Sequence, residues 1–474
     1  MMRRGVDVLV VGAGPAGVTA ATRAAALGAR TTLATSGDFG GMAANDGPVP
    51  VRTLAHAARL LREARQLAAY GVDVDKPNLD YGRLLNRTAE VIKAARTRST
   101  LRPQAEAAGV VIREHLGNLR FVDSHKLEAA TGEEFTADRI ILCPGGVARA
   151  LNVPGAELAA SHSDAWSLTS VPRSMLVIGA GATGLQVASV FNAFGTKVKL
   201  FQAGPRIIPT EDEDVSAAVA AALVAAGVEV REDFGAIDRF EATPDGVRMF
   251  FIKEGKECEA AAALAVAAVG WRVDGAALNI TAAGVETDPK GFIRVDRHQR
   301  TTAPNVWAAG DATGGLMLVP QAIQEGYTAA TNAVINAGIS AQHEISPIGS
   351  FTDPEYAQVG LSEAAARASH DVEVAFARFE DMTRAIIDGR TIGFCKLVTD
   401  RANHRILGCH VVGDRAVDVA QIAAIAMAGG LTVDQLARLP LSFPTYAGIL
   451  ARAAATATYR LSGQDSSAVE AAVA

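Results

Sequence analysis

One short grammar, used twice, constrains this chain more than any other feature. Val6 to Val11 is a β-branched run of the kind that forms a strand buried on both faces. Gly12-Ala13-Gly14-Pro15-Ala16-Gly17 follows, an Ala-rich helix runs to Leu27-Gly28, and Arg30 to Ala34 reads as a second strand. The same order returns with a strand at Ser174 to Ile178 and the turn Gly179-Ala180-Gly181-Ala182-Thr183-Gly184. A helix to Phe194-Gly195 and a strand at Lys197 to Phe201 complete this second copy. Each glycine has its own task. The first makes the tight turn, the second lets the backbone approach a pyrophosphate, and the third lets helix and strand pack closely. The helix N-terminus then faces the phosphates. An internal duplication of this kind predicts an α/β protein with two Rossmann-type nucleotide-binding units. The expected nucleotide contacts are Gly12, Gly14, Pro15, Ala16 and Gly17 in the first, and Gly179, Gly181 and Gly184 in the second.

A chain of 474 residues has room for roughly two to four such domains. At 49% hydrophobic and 20% charged residues it is neither disordered nor fibrous. A net charge of −6 with no Lys/Arg-rich run argues against a nucleic-acid partner. Met1-Met2-Arg3-Arg4 leads into the first strand without a signal-peptide pattern, and the Ala-rich runs carry Arg, Glu or Gly before they reach membrane-spanning length. The expectation is a cytoplasmic protein with no membrane partner. Cys143, Cys258, Cys395 and Cys409 are scattered, with no C-x-x-C. They are expected to be ordinary buried or half-buried thiols, with no structural disulfide and no zinc or other metal site.

Helical patterns fill about 50–70 and 80–108, and Arg139 to Leu142 reads as a buried strand ending at Cys143-Pro144-Gly145-Gly146. Two more buried strands are expected at Leu264 to Val269 and Val306 to Ala309, then Gly310-Asp311 and a helix from about 317. From about 346 alternating strands (Gly393 to Val398, Arg405 to Val412) precede helices at 416–428 and 446–460.

With these segments in place the chain resembles the pyridine nucleotide–disulfide oxidoreductases, in the dihydrolipoamide dehydrogenase and mercuric reductase branch, over about 5–460. The motifs, in order, are both glycine triplets, Gly40-Gly41, Arg206-Ile207-Ile208-Pro209, Ala309-Gly310-Asp311, Phe351-Thr352-Asp353-Pro354 and Phe443-Pro444-Thr445. The resemblance implies an FAD domain in two segments, 1–150 and 275–345, and an NAD(P)-binding-like domain at 151–274. It also implies a C-terminal α+β dimerisation domain at 346–465, a homodimer, and a frayed tail at 466–474. Asp311 is then the residue that bonds the ribityl chain of FAD, with Gly41, Gly145 and Gly310 beside it, and the following helix points its N-terminus at the flavin.

The chain departs from that family where the family does its thiol chemistry. The redox segment G-G-x-C-x-x-x-x-C-V-P keeps its register, but Ala43 and Pro48 replace both cysteines. Neither side chain can be a thiolate, so no electrons can pass through a disulfide here. The C-terminal H-P-T-x-x-E, which supplies an acid–base pair across the dimer, reads Phe443-Pro444-Thr445-Tyr446-Ala447-Gly448. Both halves of one function are lost together. Thr35 replaces the acid expected on the FAD ribose, a loss on the order of 1 kcal/mol. Gln202 replaces the acid of the second unit, Gln186 stands for a Glu, and Ala182 for a bulky gate. Arg206 is the only cation near that second site, so NAD(P)H binding and a structural relic of the Rossmann fold both stay open.

The polar groups left to line the site are Asn45, Asp46, Arg52, His56 and Tyr446. Arg52 matches a family Lys near the flavin, His56 follows it by one helical turn, and Tyr446 carries a proton that a reduced product could take; these three are the catalytic candidates. Gln321 and Gln324 either bond the flavin edge or lie on the helix surface. Phe443 and Pro48 make the pocket more apolar than a thiol-exchange site. The expected activity is hydride or electron transfer directly at FAD, from NAD(P)H to a quinone-like or conjugated small molecule. The alternatives are a substrate-driven flavin dehydrogenase or oxidase of specialised metabolism that uses no nicotinamide, and a non-catalytic FAD-binding protein or partner subunit.

Overall fold

A computed structural model describes residues 6–98 and 101–463. The first unit forms as its pattern requires. Strand β1 (Val6–Val11) lies between β2 (Thr31–Ala34) and the strand Glu134–Leu142, parallel to both. Neighbours on both sides, with helices above and below, leave Val8, Leu9 and Val10 with no exposed surface. Strand Glu134–Leu142 makes the same point within one element. Its first half pairs antiparallel with Lys126–Ala129 and alternates in and out. Its last three residues enter the parallel layer, joined by Val306–Ala308, and are buried without alternation. The glycine turn leads into helix α1 (Pro15–Ala26), whose alanine face packs on the long helix Val319–Ile335.

Helix α2 (Gly41–Asn45) lies against the turn, and helix α3 (Pro48–Ala64) follows it. The helix expected over 50–70 thus starts earlier and ends in a 3-10 turn at Leu67–Tyr70, where Gly71 takes a φ of 75°. The region 80–108 holds two helices, Tyr81–Arg98 and Leu101–Ala107.

The second unit repeats the parallel order with strands Glu229–Arg231, Lys197–Phe201, Ser174–Ile178, Leu264–Ala267 and Ala159–Ser161 side by side. An antiparallel meander at Ala236–Thr243, Gly246–Lys253 and Lys256–Ala262, which the pattern reading missed, closes one face. It is held by an edge-to-face cluster of Phe201, Phe234 and Phe251, with centroids 5.3–5.8 Å apart. The C-terminal domain is a five-stranded antiparallel sheet backed by helices Ala416–Ala428 and Gly448–Leu461, as expected from alternating strands followed by Ala-rich helices. Asp353–Pro354 and Phe443–Pro444 are cis. The tail 466–474 lies outside the described residues. Among the described residues no helix is long and apolar enough to cross a membrane, and no group of His, Cys, Asp and Glu is arranged to hold a metal ion.

Candidate active site

The two glycine turns are close copies. Gly12 and Gly179 take φ of 103° and 96°, and their amides bond Ala34 O at 2.7 Å and Phe201 O at 2.8 Å. A Cβ on Gly17 would stand 1.8 Å from Gly12 O, and one on Gly184 1.9 Å from Gly179 O. No side chain caps either helix, at N-cap Gly14 or N-cap Gly181, and Pro15 occupies the first turn of α1. Both N-termini therefore keep their orphan amides for an anion.

What surrounds the turns differs. Above the first, α2 comes so close that a Cβ on Gly41 would lie 2.6 Å from Gly14 Cα. The amide of Gly40 donates to Ala13 O at 2.9 Å. Backbone packed on backbone makes a narrow cradle of main-chain dipoles, which fits a pyrophosphate. Ala16 is buried under it, against Gly310. Gly145 turns at φ 75° with open space about it, after the strand that ends at Leu142. Thr35 is buried, and its amide bonds Arg113 O at 2.9 Å.

Asp311 lies in the 3-10 turn Gly310–Thr313, where burial raises its carboxyl above the usual range. Sequence reasoning missed the residue that holds this turn. Glu325, almost fully buried on the helix Val319–Ile335, accepts Gly310 N–H at 2.7 Å and Thr313 Oγ1–H at 3.3 Å. Its signal was available as the lone acid on a face of Ala322, Ala329 and Ala330. Of the two glutamines, Gln321 is buried with its Oε1 accepting Leu316 N–H at 3.0 Å, and Gln324 is exposed.

In the second unit Gln202 folds back on its own turn and accepts Ala180 N–H at 3.1 Å. Arg206, the expected cation, is spent inside the chain. Its guanidinium donates to Glu211 O at 2.6 Å and Pro209 O at 3.0 Å, so it braces the loop. Gln186 bonds Ala182 O, one turn back on its own helix, at 3.1 Å.

The three catalytic candidates do not converge within one subunit. Arg52 leaves the stripe of α3 that buries Val51, Leu54, Ala55 and Ala58, and lays its guanidinium over the Phe351 ring. Its Nη1 is buried without a partner, and burial lowers its pKa to about 10. His56, expected on the same face, is exposed. Tyr446 has a partner other than the one expected. Its hydroxyl donates to Asp388 Oδ2 at 3.0 Å, while burial, Asp414 and Asp388 raise its pKa. Asn45 accepts from Arg96 Nε at 2.5 Å, and Asp46 from Ser163 Oγ at 2.5 Å.

The expectation of scattered thiols needs one correction. Cys395 and Cys409 lie on paired strands with their Sγ atoms 3.9 Å apart, because the antiparallel hairpin brings residues 14 apart in sequence into contact. Both are fully buried in the C-terminal core, away from α2.

Comparison with known proteins accords with this architecture. Residues 6–326 match the family model described as pyridine nucleotide-disulphide oxidoreductase, and residues 346–454 match the dimerisation domain of the same family. A dihydrolipoyl dehydrogenase of Chlorobaculum tepidum is 30% identical, covering 94% of this chain and 96% of the relative. A mercuric reductase of Bacillus cereus is 29% identical, covering 91% of this chain and 68% of the relative. Among solved structures, a HOCl-induced flavoprotein disulfide reductase from Escherichia coli superposes with a TM-score of 0.83 at 24% identity, over 95% of this chain and 99% of that one, which speaks for the fold. The chain belongs to the pyridine nucleotide–disulphide oxidoreductase family, FAD-dependent oxidoreductases whose usual electron donor is NAD(P)H.

Proposed function

We propose that this protein transfers hydride or electrons directly at its flavin, without a thiol relay, from a reduced nicotinamide to a quinone-like or conjugated organic acceptor. The observation that carries this reading is the segment over the first glycine turn. Ala43 on α2 and Pro48 at the start of α3 hold the two places where the family has its cysteines. The thiols elsewhere offer no substitute. Cys143 is buried behind the glycine turn and burial raises its pKa, so it stays protonated. Cys258 lies in the meander, and Cys395 and Cys409 in the C-terminal core.

The surroundings of the second turn favour NADH over NADPH. A 2′-phosphate needs a free cation. Arg206 is engaged by main-chain carbonyls, and Gln202 presents a neutral amide. Anaerobic titration of the purified protein with NADH and then NADPH, followed by the visible flavin spectrum, tests both statements. Bleaching by NADH, with no long-wavelength thiolate band, is expected. A flavin that neither nucleotide reduces would turn the reading to a substrate-driven dehydrogenase or oxidase, or to a non-catalytic flavoprotein.

The same reading keeps the domain division given above and a homodimer. Phe443 is 83% exposed beside a shallow pocket lined by Met382, Leu439 and Pro444, an apolar surface that a second copy would cover. A monomer mass in light scattering at micromolar concentration would refute the dimer. Arg52 and His56, on one helix, remain the proposed contacts within a subunit, and Tyr446 the one that reaches the flavin from the partner subunit.

A further inference from the structure

Between the two ends of the expected FAD site runs an arc of side chains whose middle, Ser163, His162 and Trp271, no motif announced. At one end, a Cβ placed on Gly146 would lie 3.8 Å from the Cβ atoms of both Asp311 and Trp271, so these two residues flank the same point of backbone. Trp271 meets the ring of His162 edge to face, with centroids 4.4 Å apart. His162 Nε2 is 3.3 Å from Ser163 Oγ, and Ser163 Oγ–H donates to Asp46 Oδ2 at 2.5 Å. Asp46 directly follows α2, which rests on the Gly14 turn. The arc therefore starts beside Asp311 and ends at the segment that carries Ala43 and Pro48.

We infer that Asp46, Ser163 and His162 form a proton relay along the flavin, walled by Trp271, and that they supply the acid–base function lost with the family's C-terminal His and Glu. This rests on the reading that the protein reduces its acceptor directly at the flavin. A quinone that takes a hydride from reduced flavin still needs one proton on its second oxygen. The relay delivers it in three transfers: His162 Nε2–H to Ser163 Oγ, the Ser163 hydroxyl proton to Asp46, and the Asp46 proton to the quinone oxygen. The unit ends one proton poorer and regains it from solvent.

Asp46 is half-buried at the end of α2, whereas His162 is 4% exposed. Asp46 is thus the residue that meets substrate, and Ser163 and His162 position it and feed it. The charged groups around His162 are Asp46 and Asp164. Asp164 is held in a capping box with Ser161, and it accepts Ser161 N–H and Oγ–H, each at 2.8 Å. Burial lowers the His162 pKa while the two carboxylates oppose that shift, so the extra proton is held on the acid side of neutrality.

The experiment uses the flavin-loaded protein, reduced with dithionite and mixed anaerobically with 1,4-benzoquinone. The wild type is expected to lose about a hundredfold in reoxidation rate as pH rises from about 5.5 to about 8.5. Ser163→Ala and Asp46→Asn are expected to be slow and flat across that range, and Ser163→Thr, which keeps the hydroxyl, to restore the slope. An identical pH profile in wild type and Ser163→Ala overturns the relay. The wall has its own readout that needs no turnover. An indole against a flavin quenches its emission by electron transfer, so Trp271→Phe is expected to raise flavin fluorescence severalfold at equal flavin content. Unchanged emission removes Trp271 from the flavin edge. A protein without flavin, or a reduced flavin that no quinone reoxidises, overturns the functional reading instead of the relay.

Discussion

The two glycine turns differ by 7° in the φ of their first glycine, and their third glycines would clash with main-chain oxygens at 1.8 and 1.9 Å. Yet the first lies under a second layer of backbone, with Gly41 against Gly14, whereas a Cβ on Gly181 would meet nothing within 4 Å. The first has a buried threonine where a ribose acid is expected, and the second a glutamine folded onto its own turn. The lesson is that the glycine pattern reports how a helix must pack on a strand. The ligand is decided by the side chains and layers around the turn, which can change without disturbing it.

The largest effects should treat the two turns alike. Gly17→Ala and Gly184→Ala each force a Cβ into a backbone oxygen, and each should lower stability by more than about 4 kcal/mol in denaturant unfolding of the flavin-free protein. If Gly184→Ala proved mild, the second turn would not be set by packing, and the comparison would break.

Next comes an ion-pair link between the second unit and the C-terminal domain. Lys396, on the C-terminal sheet and 1% exposed, bonds Asp212 at 2.8 Å and Asp214 at 2.7 Å at the start of helix Glu213–Ala225. Lys396→Ala leaves the buried Asp212 carboxylate and the half-buried Asp214 without their cation and should cost about 3–5 kcal/mol. Burial pushes the Asp212 carboxyl up, but the bonds from Lys396 and the Glu363 amide more than offset this and hold it below its ordinary value. Its contribution is therefore present above the unfolded pKa, near 4, and is lost as pH falls through the lower folded value. The wild type should lose this contribution on acidification, and an acid-unfolding series of Lys396→Ala should show a weaker pH dependence.

A smaller effect should separate the ligands of the two turns. Gln202→Glu restores a charged acceptor and should tighten NADH binding by about 1 kcal/mol, roughly fivefold, with no gain for NADPH, as read by fluorescence titration. Smallest of all, Thr35→Val removes one neutral hydroxyl. It should weaken FAD by about 0.5–1 kcal/mol, measured by cofactor release on dilution.

Much of the fold was legible before any coordinates. The β-branched runs, the glycine triplets and the Ala-rich helix at 416–428 obey local rules of period and turn, and they formed where the pattern put them. The meander at 236–262 was not legible, since its strands carry mixed polar and apolar residues that become strands only by pairing with one another. Arg206 shows the corresponding limit at the site. The sequence places a cation near the nucleotide, but only the folded loop shows that carbonyls have already taken it.

By itself, the sequence determined the duplicated unit, the segment that covers the first turn and the absence of cysteines from it, because each is a matter of residue identity at short spacing. The tertiary structure alone decided which side chains meet. Asp46 and Ser163 are 117 residues apart, and His162 and Trp271 come from the far ends of one domain. No local rule links such positions. The first contact follows from the packing of the second unit, through helix Ala182–Ala193, on α3, and the second from the folding of the second unit on itself, which are properties of packing and not of pattern.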